Sequence, residues 1–482
     1  MKLFRHTVFN LIGLGAPLLV AVGTIPVLIH ELGPSRFGLL TLIWAVVSYF
    51  GLFDLGLGRA LTQQLAVVFE KNEHKKVGPL VGTATVLMAM LGIVAGALMA
   101  AAASWGVGLI QDVPDRQETV NAVYAMALAM PFIVLTSGFR GILEARQAFG
   151  IVNLIRLPMG LFTFLGPLVV VLYGGNPRLD YIAWVLVAGR VIACAVHAYY
   201  AWRVLSKERS ALIWQADLLK PLCISGGWLT VSNIISPFMG YVDRFVIGAI
   251  VSASAVAYYA TPQELVTKLW IVPGALTAVL FPAFAAQMAR RDEQTWALFK
   301  KAVHWLFLAL LPVTVALALF AHELLALWIN PEFADESAVL LQVFAVGILI
   351  NCLAHVPFTL IQSAGAAQLT ALAHLIELPF FLAALWWLTS THGALGAAIA
   401  WLLRTMLDTL LMFFLCAPLL GRAVKSFLNL KVSTLGLISV LGFSGLLFQS
   451  PTARTLWWIV FCIIVFALIV MSSQKSTHGQ NL

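Results

Sequence analysis

Thirteen charged residues fall inside stretches of this chain that otherwise have the length and apolarity of lipid-spanning helices. Seven are basic (Arg59, Arg140, Arg156, Arg190, Arg244, Lys268 and Arg404) and six are acidic (Asp54, Glu144, Asp243, Glu264, Glu377 and Asp408). A charge at mid-bilayer costs about 2.5–3.5 kcal/mol even on the lenient insertion scale, so they cannot all face lipid. Some must pair across helices, some must lie near the membrane surface, and the rest should line a wet cavity. The fold that accommodates them is a bundle of helices with a polar interior, which is what a transporter of polar cargo needs.

Composition points the same way. Of 482 residues, 61% are hydrophobic and only 10% are charged, against about 25% charged in a soluble domain. The length is spent on membrane spans, with no room for a soluble catalytic domain. The net charge of +8 does not indicate nucleic acid, because the basic residues are dispersed over alternate loops. Cys194, Cys223, Cys352, Cys416 and Cys462 are scattered through or beside apolar segments; without a CxxC or metal-ligand spacing they read as small hydrophobes. The histidines form no HExxH-like pattern, so no cofactor or metal is expected. Lys2 and Arg5 precede an apolar run too long for a signal-peptide core, which reads as an uncleaved first span.

An all-α chain with about fourteen spans is expected: 7–30, 37–69, 78–110, 119–148, 151–174, 179–203, 218–250, 254–289, 299–323, 333–364, 367–390, 394–419, 426–448 and 454–472. The termini and even-numbered loops carry 18 basic residues and the opposite side only Arg36, Arg116, Arg178 and Arg454. The positive-inside rule then places both termini in the cytoplasm. Acids gather in two outer loops, Asp112, Asp115 and Glu118 in one and Glu332, Asp335 and Glu336 in the other.

Residues 10–66 and 227–289 follow one plan: a helix, a tight outer turn, then a helix interrupted by Gly or Pro. Six helices separate the two starts, so the halves share an orientation and are related by an axis along the membrane normal. The domain plan is a six-helix lobe over 1–210, a second over 211–421, and two additional helices with a cytoplasmic tail over 422–482.

Two segments carry a family resemblance. One runs Asn10, Pro26, Leu32-Gly33, Phe37-Gly38 and Phe53-Asp54-Leu55-Gly56-Leu57-Gly58-Arg59-Ala60; the other runs Tyr241-Val242-Asp243-Arg244-Phe245-Val246-Ile247-Gly248, Tyr258-Tyr259, Pro273 and Phe281-Pro282. The chain resembles the polysaccharide-exporter branch, the Wzx-type O-antigen flippases, of the multidrug/oligosaccharidyl-lipid/polysaccharide flippase superfamily. That resemblance implies two rocking six-helix lobes in the inner membrane, with helices 1, 2, 7 and 8 lining a central cleft. It implies an undecaprenyl-pyrophosphate-linked oligosaccharide as cargo, membrane lipids around it, and glycan polymerase or assembly proteins as partners. A coupling ion, proton or sodium, is left open.

Each buried charge has a bland and a functional reading. Arg140 with Glu144, Glu264 with Lys268, and Arg404 with Asp408 are i,i+4 neighbours that can neutralise each other. Arg140 and Arg156 lie near helix ends and can snorkel. Glu264 and Lys268 fall between Pro262 and Pro273, where missing amide donors loosen the helix and suit a cavity wall. Arg59 either snorkels or offers a bidentate fork to phosphate, and the glycines around it permit close packing or a bend. Asp243 and Arg244 are adjacent, diverge on the helix and need separate partners. Arg190 and Glu377 lack a local opposite charge and are functional candidates by default. Most tryptophans read as interfacial belt; Trp44, Trp228, Tyr241 and Tyr258 are the better candidates for sugar stacking. The candidate cargo contacts are therefore Arg59, Lys268, Glu264, Arg190, Arg404, Trp44, Trp228 and Tyr241. The structural or coupling charges are Asp54, Asp243, Arg244, Glu377 and Asp408.

The expected activity is export of a lipid-linked glycan without making or breaking a bond. Two rivals are other transporters, a cation-coupled drug exporter and a lipid II flippase. A glycan polymerase or ligase, the rival that is an enzyme, would be expected to carry a large outer loop that is missing here.

Overall fold

A bilayer offers no water to unpaired amides, so each apolar run has to satisfy its own backbone. The computed structural model does so with helices, and no strand occurs among the described residues. The described residues are 2–50, 56–175, 178–205, 213–219, 227–290, 294–421 and 432–478, with side chains described except in 2–16, 49–50, 227–234, 289–290, 432–434 and 470–478. Ten helical segments among them are long and apolar enough to cross a membrane. Large apolar side chains stand on the outside, such as Leu410 at 66% and Phe466 at 65% exposure; so much exposed apolar surface suits lipid and not water. Packing divides the chain into Met1–Ala257 and Tyr258–Leu482.

In the first unit, α1 (Lys2–Phe50) is two helices joined at Gly33, whose φ of 73° and ψ of 160° break the helical path at the expected outer turn. Only glycine takes that conformation at little cost. The expected single run over 37–69 is broken at Gly56, whose left-handed φ of 74° precedes α2 (Leu57–Glu70). α3 (Val77–Leu109), α4 (Arg116–Ala145), α5 (Phe149–Tyr173) and α6 (Leu179–Leu205) follow, then α7 (Gly227–Ile250) and the start of α8 (Ala253–Thr267). Small residues let these helices approach closely. A Cβ on Gly141 would lie 2.7 Å from the Gly58 carbonyl, and one on Gly92 would lie 2.5 Å from the Pro131 Cα.

The turns at one end of this unit's helices are tied together by charge. Arg36 donates through Nε and a terminal nitrogen to the two Glu118 carboxylate oxygens at 3.1 and 3.2 Å. Glu118 also accepts the Leu179 amide at 2.6 Å. Asp115 caps α4 by accepting the Glu118 amide at 2.9 Å, and Arg178 pairs with Asp180 at 2.7 Å. That pairing, with its hydrogen bond, holds the Arg178 guanidinium pKa above its usual value. Glu118, which the sequence suggests is a surface acid, is 4% exposed.

The second unit begins within α8. The run expected over 254–289 changes at Lys268–Trp270 to a 3₁₀ turn before α9 (Ile271–Arg290). The turn lies between Pro262 and Pro273, where two amide donors are missing. α10 (Gln294–Leu319), the short α11 (Ala321–Trp328) and α12 (Pro331–Ser363) follow; the Asn330 side chain caps α12 by accepting the Phe333 amide at 2.7 Å. α13 (Ala367–Leu419) is again two helices, joined at Gly393 with φ 59° and ψ −142°. α14 (Val432–Phe443) and α15 (Pro451–His478) complete the described chain. Tyr259, Phe344 and Trp401 form an edge-on aromatic stack at 5.0 and 5.3 Å through this unit's core.

Candidate functional site

The deepest concentration of ionisable groups in the second unit lies on the α13 hairpin. Gly393 reverses the chain, and a Cβ on Gly396 would collide with the Leu388 carbonyl, so the two arms emerge close together. Residues at similar distances from Gly393 then face one another. Glu377 lies sixteen residues before the turn and Asp408 fifteen after it; Phe381 and Arg404 stand twelve before and eleven after. Accordingly, the Glu377 and Asp408 carboxyl groups adjoin, and the Arg404 guanidinium lies 5.5 Å from the Phe381 ring centroid. His374 shares a helix face with Glu377 and brings Nε2 to 3.6 Å from Asp408 Oδ1.

The cluster is buried and short of donors. Glu377 is 1% exposed, Asp408 8% and His374 5%. Neither Glu377 oxygen has a hydrogen-bond partner, and Asp408 Oδ1 and Arg404 Nε also have none. Two ionised carboxylates can only accept, so their adjacency supplies no donor to either. The His374–Asp408 separation is too long for a hydrogen bond. A cavity of about 170 Å³ opens beside Glu377, walled by Glu377, Phe381, Ala400 and Arg404 and by the exposed Phe380, Leu403 and Leu407. Of the two readings of Arg404 and Asp408, mutual neutralisation along one arm is not seen among the described residues; the hairpin turns Asp408 towards the opposite arm instead.

The remaining candidates are dispersed. Glu264 and Lys268 form the i,i+4 pair at 3.0 Å, each side chain 38% exposed. Arg140 and Glu144 pair at 3.6 Å. Arg59 is exposed near the start of α2, and Arg190 is half-buried in α6; neither makes an ion pair among the described residues. Asp243 accepts the backbone amide of Arg244 at 2.8 Å, and Arg244 lies 5.4 Å from the Tyr241 ring. Both charges are almost wholly buried. Trp44 is held edge-on between Phe37 and Phe164 at 6.0 and 5.2 Å, with its indole nitrogen unpartnered. Tyr258 packs on Phe333 at 5.0 Å. Asp54 and the Trp228 side chain lie outside the described residues. The first unit also holds a larger cavity, about 500 Å³, walled by Leu42, Val46, Leu98, Met126 and Phe245. That wall is apolar, and none of the candidate cargo contacts belongs to it.

Sequence reasoning missed His374. Its spacing of three from Glu377 puts both on one helix face, and mirroring positions about Gly393 would have set that face against Asp408.

Comparison with known proteins accords with this architecture. A family model described as "Polysaccharide biosynthesis protein" matches residues 3–288. A Shigella flexneri protein described as "Putative O-antigen transporter" is 32% identical over 421 residues, covering 86% of this chain and 98% of the relative. An "Uncharacterized membrane protein in cps region" of Klebsiella pneumoniae is 21% identical, covering 84% and 80% of the two chains. Among solved structures, the inward-facing conformation of a MATE-family multidrug resistance transporter of the MOP superfamily superposes with a TM-score of 0.71. It is 14% identical, with 85% of this chain and 95% of that one covered, so the likeness is one of fold.

Proposed function

The chain belongs to the polysaccharide biosynthesis protein family, and from that premise we propose that it is an inner-membrane flippase for a lipid-linked oligosaccharide. The observation that carries this reading is the 32% identity to the Shigella flexneri protein described as "Putative O-antigen transporter", over 98% of that protein's length. Export proceeds by alternating access, with two six-helix lobes over 1–210 and 211–421, two additional helices over 422–482, and both termini in the cytoplasm. The basic asymmetry of the loops supports that orientation.

The cargo's diphosphate meets Arg59 and Lys268, and its sugars meet aromatic faces, while the lipid tail stays in the bilayer. Arg59 is exposed on α2, so its guanidinium is available to a bidentate phosphate. Lys268 stands at the 3₁₀ break, paired with Glu264; cargo competes with that carboxylate for the ammonium. No bond is made or broken, so the protein is not an enzyme.

A cation-coupled drug exporter shares the fold, and a buried acid without a donor is the feature it would use. Mass spectrometry of lipid-linked oligosaccharides in a strain deleted for this gene separates the two. A flippase predicts accumulation of the cytoplasmic intermediate, reversed by the wild-type chain. An unchanged lipid profile with increased drug sensitivity supports the exporter.

A further inference from the structure

We propose that Glu377 and Asp408 share one exchangeable proton inside the α13 hairpin, and that this proton is the ion coupled to transport. The coupling rests on the flippase reading above; the proton site rests on the register of the α13 hairpin and its unpartnered carboxyl oxygens.

Glu377 is 1% exposed, and both its oxygens lack a hydrogen-bond donor. The group it adjoins is a second buried carboxyl, Asp408, whose Oδ1 also lacks one. Two ionised carboxylates do not persist side by side in a dry site; one proton between them turns repulsion into a hydrogen bond. The surroundings fix the count at one. Arg404 is the permanent cation of the cluster and supplies no hydrogen bond through Nε. Against the single Arg404 cation, the doubly ionised pair leaves one net negative charge. A single proton brings the cluster to neutrality.

Two histidines face Asp408. His374 lies across the hairpin at 3.6 Å. His355 of α12 feels the Asp408 charge, but its Nδ1 is engaged with the Asn351 carbonyl at 3.2 Å. His374 is the histidine nearest Asp408 across the hairpin and stands where it can pass the proton on.

A metal cation fits the cluster less well. No group of three or more His, Cys, Asp or Glu side chains converges to hold one among the described residues. The neighbouring hydroxyls are committed to carbonyls: Thr405 donates to Trp401 at 2.7 Å and Thr409 to Thr405 at 2.8 Å. A hard cation needs a shell of oxygens, whereas a proton needs only the two carboxyls.

The test is infrared spectroscopy of the purified full-length chain in lipid, in sodium-free buffer, following the carbonyl stretch of protonated carboxyl groups through a pH titration. The wild type should show a protonated-carboxyl band at neutral pH that disappears on alkalinisation. Glu377→Gln and Asp408→Asn should each lose it, and added sodium chloride should leave its midpoint in place. If either variant fails to fold, Glu377→Asp and Asp408→Glu keep both acids and should retain the band at a shifted midpoint. A band that survives in folded Glu377→Gln and Asp408→Asn, a band that sodium removes, or a midpoint unmoved in Glu377→Asp and Asp408→Glu overturns the site. This readout needs no cargo, so it stands or falls separately from the lipid profile of the deletion strain. Coupling is read in that strain: Glu377→Gln at wild-type protein level should lose export, and full export would remove the proton from the transport cycle.

Discussion

Glu118 and Glu377 are both almost wholly buried glutamates, and they live in opposite circumstances. Glu118 in the first unit accepts two bonds from Arg36 and a third from the Leu179 amide. Glu377 in the second unit accepts none and adjoins another acid. A carboxylate so fully satisfied has nothing left to bind, and its work is to tie three turns together. A carboxylate left unsatisfied costs stability wherever it is buried, and that cost persists in sites that bind and release something. Burial alone does not distinguish the two; the accounting of donors does.

The largest effect should come from breaking the satisfied site. Glu118→Ala strands Arg36 and the Leu179 amide. Removing one partner of a buried pair costs about 3–5 kcal/mol, reduced here to about 2–4 because Arg36 keeps a third of its side chain in solvent. Thermal unfolding of the solubilised protein should show that loss, with export falling only as folded protein falls.

Next in size is the exchange of Arg404 and Asp408. Were they a self-contained pair along one arm, Arg404→Asp with Asp408→Arg would be nearly silent. The hairpin instead sets Asp408 against His374 and Glu377. The exchange should therefore cost about 1–3 kcal/mol and abolish export; a silent exchange, read by the same melting and lipid assays, would return the two residues to the role of mutual neutralisers.

Glu377→Gln should reverse the pattern seen at Glu118. Replacing an unsatisfied buried acid with a neutral isostere should leave stability unchanged or raise it by about 1 kcal/mol, while export is lost.

Smallest in stability is Lys268→Ala, which dissolves a half-exposed i,i+4 pair worth about 0.3–0.5 kcal/mol. Its signature is export reduced at unchanged melting temperature, shared by Arg59→Ala. Arg59→Lys should rescue in part, because a point charge cannot reproduce the guanidinium fork.

Much of this molecule is legible without coordinates. The apolar runs, the break at Gly33 and the softened helix between Pro262 and Pro273 follow from local physics: a bilayer's length requirement, glycine's left-handed freedom and proline's missing amide. The i,i+4 pairs Glu264–Lys268 and Arg140–Glu144 are equally local. Where helices must be set against each other, local rules stop. Nothing within a helix's own sequence says that Arg36 reaches Glu118, more than eighty residues away, or that α2 starts afresh at Gly56. Asp408 is the clearest case. Spacing alone pairs it with Arg404, but the reversal at Gly393 presents it to His374 and Glu377. The information was partly there, in the near-equal distances of Glu377 and Asp408 from Gly393, and reading it required treating the turn as the origin from which both arms are numbered.

The most direct measurement pairs melting temperature with glycan export, in the deletion strain and in the purified chain, for Glu118→Gln and Glu377→Gln. Glu118→Gln should lower the melting temperature and lower export only in proportion to the protein lost. Glu377→Gln should hold or raise the melting temperature and lose export. If instead Glu377→Gln melts early and the surviving protein exports normally, the buried acid of the second unit is architectural like its counterpart, and the distinction drawn between the two sites is wrong.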